Sequence, residues 1–211
     1  MPEVKEITFL NLNIRGLNSA AKQLAIDKVV NEVHPHVICL NETKLQYELY
    51  LDNFWSHQTM HQRHGGCWTA ASTNTRLNLV KALGTYLCWT RLTTGSKQVQ
   101  ILNCYLQPGE EEHLKQRATR VTDIVRDILR QDAKASVVVC GDFNNHMPHI
   151  TRELTKCGFK SALNPNIPTH TLGGSLDQLF AKNIDITNAL VNEGFDKEIT
   201  DHKCLKVTLG F

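Results

Sequence analysis

Six places in this chain share one pattern: an apolar, strand-like run stops at a side chain able to do chemistry. They are Asn13 in LNLNIRGL, Glu42 in VICLNETKL, Tyr105 in ILNCYLQP, Asp142 and Asn144 in VVVCGDFNN, Asp177 in GGSLDQLF, and the pair Asp201 and His202, which follows Thr200 and precedes the last apolar run. Taken singly, each has an ordinary explanation. Glu42 could be an acid at a helix start, Asp177 a solvated strand residue, Asp201 a turn former. Taken together they call for a use, because one fold would otherwise place polar groups at strand end after strand end for nothing. Glu42 and Asp201 are hard oxygen donors suited to Mg²⁺, which keeps several waters and takes only one or two carboxylates; Mn²⁺ would accept the same donors. His202, if it pairs with Asp177, gains the orientation and basicity of a general base or of a cation for phosphate. Asn13, Tyr105 and Asn144 can hydrogen-bond a phosphoryl oxygen or orient an attacking water. The set suits phosphodiester hydrolysis.

Competing metal chemistry fits less well. Asp142, Asn144 and Glu153 match the first, third and twelfth positions of a calcium loop, but Met147 stands where that loop needs glycine and no helix precedes Asp142. His57, His61 and His64 have the spacing of zinc ligands on a helix, yet their surroundings are strand-like and end in Gly65-Gly66. His146 and His149 flank Pro148 and could line a substrate groove or simply be exposed. The chain has no Walker loop, GxGxxG or GxSxG.

The elements that must position these groups follow from periodicity. In VVVCGDFNN, three valines and a cysteine read as a strand buried on both faces. Gly141 then frees the backbone, so that Asp142 and Asn144 arrive together at the mouth of a sheet, where α/β proteins bind ligands. Residues 7–14 and 37–40 read as two further strands. Between them Ile26, Val29, Val30 and Val33 make a helical stripe that Asn18 or Ser19 could cap, so strand, helix and strand form a crossover unit. Residues 54–105 read as a meander of antiparallel strands broken at Gly65-Gly66, Gly84 and Gly95. Residues 110–130 are the clearest helix, with Leu114, Ala118, Val121, Val125 and Ile128 on one face and Glu110, Glu111 and Glu112 at the start. A short helix over 148–157 is stopped by Gly158, and 176–181 and 205–209 read as strands. The economical summary is one α/β layered domain with helices outside two sheets.

Bulk properties narrow the class. A chain of 211 residues, 41% hydrophobic and 21% charged, can bury a substantial core as one domain. It carries no apolar run long enough to span a bilayer and no signal-like start, which predicts a soluble protein that is not secreted. Seven cysteines, several inside apolar runs and without a CxxC pair, predict reduced core thiols in a reducing compartment. The net charge of +2 permits a nucleic-acid partner without demanding one.

The order and spacing of LNLNIRGLNS, LNETKL, ILNCYLQP, VVVCGDFNN, PTHTLGGSLDQLF and TDHKCLKVTL resemble the endonuclease/exonuclease/phosphatase superfamily, most of all the apurinic-type endonuclease domain of non-LTR (LINE-type) retrotransposons. The resemblance covers nearly the whole chain. It implies a DNase I-like fold over residues 1–211: a four-layer α/β sandwich of two mostly antiparallel or mixed sheets flanked by helices. It also implies Mg²⁺-dependent cleavage that leaves a 3′-hydroxyl. Carried onto matching positions, Glu42 is a metal ligand with Asp201 and Asn13 near the metal, and Asp142 and Asn144 orient the nucleophile and scissile phosphate. Asp177 holds His202, Asn13 supports Asp142, and Tyr105 contacts phosphate. Arg15, Thr171 and Thr200 fall at substrate-binding positions, Thr200 in the place often held by Ser. The loops around Gly65, Gly84 and His170 to Gly174 would meet DNA grooves.

Some positions depart from the pattern. Many members have Asn after the Tyr-x-Pro segment, whereas Tyr105 is followed by Leu106, Gln107, Pro108 and Gly109. Abasic-site repair enzymes usually carry Asp where Arg15 stands and a bulky residue near Gly174, and LINE endonucleases often carry His where Gln178 stands. The implied partners are double-stranded DNA and a reverse transcriptase domain in the same polyprotein, with a nuclear location, no membrane and a monomeric isolated domain. Alternatives are an abasic-site repair endonuclease, a phosphatase acting on inositol lipids or a tyrosyl-DNA link, and a non-catalytic nucleic-acid-binding module. Against the last, a module relieved of chemistry has no reason to keep Glu42, Asp142, Asn144, Asp177 and His202.

Overall fold

Side-chain alternation along the first strand sets the layering. The computed structural model describes residues 4–59, 64–192, 195 and 198–211. In it β1 (Glu6–Asn13) turns Ile7 and Phe9 toward one apolar cluster and Leu10 and Leu12 toward another, as the two-residue period of a strand requires. Ile26 and Val30 of α1 (Ala20–Val33) close the second cluster. Ser19 caps this helix, its Oγ accepting from the Lys22 N–H at 3.4 Å. The chain returns in β2 (Val37–Asn41), parallel to β1, so the expected crossover unit is present.

The predicted meander is divided between two sheets. β3 (Phe54–Gln58) and β4 (Cys67–Ser72) pair at the edge of the first sheet, whereas β5 (Arg76–Leu83), β6 (Leu87–Thr94) and β7 (Lys97–Tyr105) open the second. A second crossover follows: α2 (Glu112–Gln131) leads to β8 (Ser136–Asp142), parallel to β7. Glu111 is the N-cap of α2, so of the three acids only Glu112 lies in its first turn. A single 3₁₀ turn (Asn144–His146) runs into α3 (Met147–Lys156). The two-residue β9 (Lys160–Ser161) and β10 (Asp177–Lys182) complete the second sheet, and β11 (Asp185–Asn192) and β12 (Cys204–Gly210) the first.

The strand orders are β11-β12-β1-β2-β4-β3 and β5-β6-β7-β8-β10-β9. One core lies between the sheets, with Phe9, Val37, Cys39, Ile101, Val138, Cys140, Leu179 and Val207. A second packs α2 and α3 on the far side of the second sheet through Ala118, Val121, Val125, Ile150 and Leu154. Helix, sheet, sheet, helix is the four-layer α/β sandwich. Burying a side chain such as Phe9 or Phe180 completely contributes about 1.5–3 kcal/mol each. All seven cysteines are free thiols and six are buried. Among the described residues no helix is long and apolar enough to cross a membrane.

Both crossover units point the same way. In an open α/β arrangement the carboxyl ends of parallel strands form the ligand-binding edge, and here β1, β2, β7 and β8 end at Asn13, Asn41, Tyr105 and Asp142. The inward face of each strand therefore changes from apolar to polar at one end of the inter-sheet core.

Candidate active site

Hydrogen bonds between the two sheets build the site. From β1, Asn13 Nδ2 donates to Asp142 Oδ2 of β8 at 2.7 Å and to Glu42 Oε2 at 3.2 Å. Asn13 Oδ1 accepts the Arg15 N–H at 3.0 Å, so this side chain ties the two acids and the following loop together. His202, just before β12, places Nδ1 2.8 Å from Asp177 Oδ2 at the start of β10. Its Nε2 lies 3.9 Å from both Asp142 Oδ2 and Asp201 Oδ1. Below these contacts Asn41 Nδ2 donates to Asn103 Oδ1 at 2.6 Å and to the Cys104 carbonyl at 2.9 Å. Asn103 Nδ2 in turn reaches the Trp68 carbonyl at 2.9 Å and Thr69 Oγ1 at 3.1 Å. This carboxamide floor was not anticipated from sequence; its one signal is the recurrence of Asn in apolar runs at LNLN, CLN and ILN.

Gly141 delivers Asp142 by close approach. Its φ is +140°, and a Cβ there would sit 1.8 Å from the Cys104 carbonyl oxygen on β7. Beyond it Asn144 adopts φ +46°, its N–H on Asp142 Oδ1 at 3.0 Å and its Nδ2 on the Leu106 carbonyl at 3.0 Å. Glu42 also holds a left-handed backbone, with φ +51°. Such conformations are costly for residues other than glycine and cluster at functional sites.

The remaining expected residues surround this centre. Tyr105 is buried and its hydroxyl donates to Glu42; burial, then the charges of Glu42 and Asp142, raise it far above an ordinary phenol. Thr200 is buried too: its hydroxyl donates to the Asn13 carbonyl at 2.7 Å and accepts the His202 N–H at 3.1 Å, so its bonds are spent positioning β1 and His202. Arg15 Nη1 sits 2.7 Å from Asp201 Oδ2, and Lys44 Nζ sits 2.7 Å from Glu42 Oε1. Thr171 lies in an exposed turn, its N–H on the Asp201 carbonyl at 2.9 Å. His170, next to it, places Nε2 3.2 Å from Asp201 Oδ2 and its ring edge-on to His202, with centroids 4.8 Å apart. Its place beside Asp201 had no sequence signal beyond PTHT. The Gly65 and Gly66 carbonyls accept from Lys44 and Thr43, so this turn braces the Glu42 loop. His146 Nε2 lies 3.1 Å from the Gln107 carbonyl, and His149 neighbours Arg152 at 3.3 Å. Of the three spaced histidines, His57 Nε2 lies 3.3 Å from the Leu77 carbonyl, His64 is exposed and His61 falls outside the described residues.

Burial and charge set the protonation states. Asp142 is pushed up to about 7, by burial first and then by the neighbouring Asp177 carboxylate. For His202 burial acts downward, but the hydrogen bond and charge of Asp177, followed by Asp142 and Asp201, outweigh it and raise the imidazole to about 9. A carboxylate whose proton affinity is raised, beside an imidazole held as a cation, places a base and a positive charge side by side.

The donor set also fits a divalent cation. Asp201 Oδ1 and Asp177 Oδ1 are buried with no hydrogen-bond partner, a costly state for a carboxylate oxygen in the absence of a cation. Glu42 and Asp201 offer the hard oxygens that such an ion takes.

The endonuclease domain of TRAS1, a telomere-specific non-LTR retrotransposon, superposes with a TM-score of 0.75 at 12% identity, covering 97% of this chain and 98% of that one. The AP endonuclease LMAP of Leishmania major gives 0.76 at 14% identity, covering 98% and 88%. Truncated TDP2 of Caenorhabditis elegans gives 0.70 at 18% identity, covering 98% of each. These likenesses establish the DNase I-like fold. No curated protein sequence matches this chain. The model of the Endonuclease/Exonuclease/phosphatase family matches residues 10–202, nearly the whole chain, and this protein belongs to that family of metal-dependent phosphodiesterases.

Proposed function

We propose that the chain is a Mg²⁺-dependent DNA endonuclease that nicks one strand and leaves a 3′-hydroxyl, which primes reverse transcription by another domain of the same polyprotein in the nucleus. The observation that carries the reading is the pairing of Asn13 with Asp142 and of Asp177 with His202 across the two sheets. It supplies a base and a cation on one phosphate. Asp142 in its ionised form takes a proton from water, oriented with the Asn144 loop for in-line attack on phosphorus. His202, protonated and held through Nδ1 by Asp177, presents Nε2–H to a non-bridging oxygen as negative charge builds. Tyr105 fixes Glu42; as the bond from phosphorus to the 3′-oxygen breaks, that oxygen takes a proton from solvent water and leaves as the 3′-hydroxyl, with the phosphate kept on the 5′ side. Glu42 and Asp201 would hold the metal, which when bound supplies positive charge to the phosphoryl oxygens.

Likeness to the TRAS1 domain favours the retrotransposon setting, and Arg15 in place of an acid favours it over repair. Likeness to LMAP keeps abasic-site repair as the second reading. The test compares nicking of supercoiled plasmid with and without Mg²⁺, alongside a duplex carrying one abasic site. We expect Mg²⁺-dependent nicking that His202→Ala abolishes. Nicking undiminished in His202→Ala would sink the mechanism, and strong preference for the abasic duplex would replace the retrotransposon reading with repair.

A further inference from the structure

Two basic side chains already sit on the carboxylates that a metal would use: Lys44 on Glu42 and Arg15 on Asp201, each at 2.7 Å. The backbone beneath them is fixed. Gly16 and Leu17 N–H groups donate to the Glu42 and Thr43 carbonyls at 2.7 and 2.8 Å, and Asn18 Nδ2 donates to the Lys44 carbonyl at 2.9 Å. From below, Lys22 Nζ reaches the Ile14 and Arg15 carbonyls at 2.8 and 3.0 Å. Arg15 and Lys44 both hold φ +51°, a conformation that persists only where its surroundings impose it. The side chains themselves reach solvent, with 33% of Lys44 and 53% of Arg15 exposed.

Charge decides what they do next. A divalent cation on Glu42 and Asp201 would lie beside both positive groups and repel them. A phosphodiester entering the same mouth offers them new oxygen partners, bidentate in the case of arginine. Resting on the metal and DNA reading above, we propose that Lys44 and Arg15 are exchangeable counter-cations: metal binding releases them from Glu42 and Asp201, DNA phosphate takes them up, and metal and DNA therefore bind with positive cooperativity. His170 makes the exchange orderly. Its Nδ1 accepts the Leu172 N–H at 3.1 Å, which leaves Nε2–H to donate to Asp201 Oδ2. Asp201 thus keeps its orientation, with Oδ1 toward the site, when Arg15 departs.

Linkage makes the proposal sharper than a simple DNA-contact role, because coupling must be reciprocal. Mn²⁺ binding to the free protein, read by electron paramagnetic resonance, is measured beside binding of a labelled phosphorothioate duplex with and without Mn²⁺. In the absence of DNA, Lys44→Gln and Arg15→Gln should each bind Mn²⁺ about fivefold more tightly than wild type. Both should bind the duplex more weakly in Mn²⁺, with a smaller gain from the metal, while Lys44→Arg keeps wild-type behaviour. Unchanged or weaker Mn²⁺ affinity in both glutamine variants would overturn the exchange, because the basic groups would then not compete for the carboxylates. Wild-type protein that takes up neither Mn²⁺ nor duplex would instead overturn the functional reading beneath it.

Discussion

At Asp142 and His202 one burial acts on two charges of opposite sign, and their neighbours decide the outcome. Burial and Asp177 raise Asp142 to about 7; Asp177, Asp142 and Asp201 overcome burial and raise His202 to about 9. The base works ionised and the cation works protonated, so kcat/KM should rise at or below pH 7, since bound metal favours the carboxylate, and fall near pH 9. Asp177→Asn removes the charge that holds His202 up and leaves only a neutral amide to face its Nδ1–H. The imidazole then drops toward its ordinary 6.5 or below, and the alkaline limb should move to lower pH by the same path. A pH profile of Asp177→Asn whose alkaline limb stays in place would show that His202 is not the group being titrated. Asp142→Asn should lower kcat by about 10²–10⁴, the usual contribution of a general base, while duplex affinity in a binding assay holds or improves because a negative charge is gone. These residues were legible because acids and a histidine at strand ends are conspicuous. Asn41 and Asn103 were not, because a carboxamide in an apolar run says nothing of what it faces, and His170 becomes meaningful only once its loop meets Asp201.

Elements reach the site by packing constraints that single residues record. β8 passes so close to β7 at Gly141 that Gly141→Ala would drive a Cβ to 1.8 Å from the Cys104 carbonyl. Separating the strands should cost about 3 kcal/mol, read as a fall in the denaturant midpoint, together with loss of activity as Asp142 shifts. A variant with wild-type stability would show that the strands can part freely there. On the outer layer α3 is tied to α2 through Glu153, whose carboxylate lies 2.6 Å from Arg126, 2.9 Å from Lys156 and 3.1 Å from Arg152. The hydrogen bonds of Lys156 and Arg152 hold this carboxyl at about 2 against an ordinary 4.5. Its contribution is therefore present above pH 4.5 and lost as pH falls toward 2. Melting temperatures of wild type and Glu153→Gln should differ at pH 7, draw together below pH 4.5 and converge only as pH reaches about 2; a gap unchanged with pH would remove the carboxylate from the explanation. β1, α1, β2, α2 and β8 could be read from periodicity because each buries a whole stripe or both faces. β5 and β11 could not: both are edge strands with mostly partly exposed side chains, held by pairing with β6 and β12 rather than by their own pattern. The assignment of the middle strands to two sheets was likewise invisible, since a hairpin pattern does not say which sheet it joins.

Across the whole molecule the two sheets repeat one plan without a repeated sequence. Each has a parallel pair joined by a helix, β1-α1-β2 or β7-α2-β8, with an antiparallel strand on either side. The site lies where the two halves face each other, and neither contains it alone. Asn13, Glu42, Asp201 and His202 come from the first sheet and its loops; Tyr105, Asp142, Asn144 and Asp177 come from the second. A duplex whose phosphate reaches His202 and Asp142 together must span both sheets, so DNA binding should strengthen the association of the sheets as well as fill the mouth. Hydrogen exchange with a phosphorothioate duplex should then slow at residues 13–18 and 42–44 on one side and at 106–109, 143–146 and 170–174 on the other. A ligand that binds only the folded state, at a hundred times its dissociation constant, adds about 2.7 kcal/mol, so the melting temperature should climb with duplex concentration. Protection confined to the loops of one sheet would mean that DNA docks on one half alone, and the site could not close on a phosphate from both sides as the geometry of Asp142 and His202 requires.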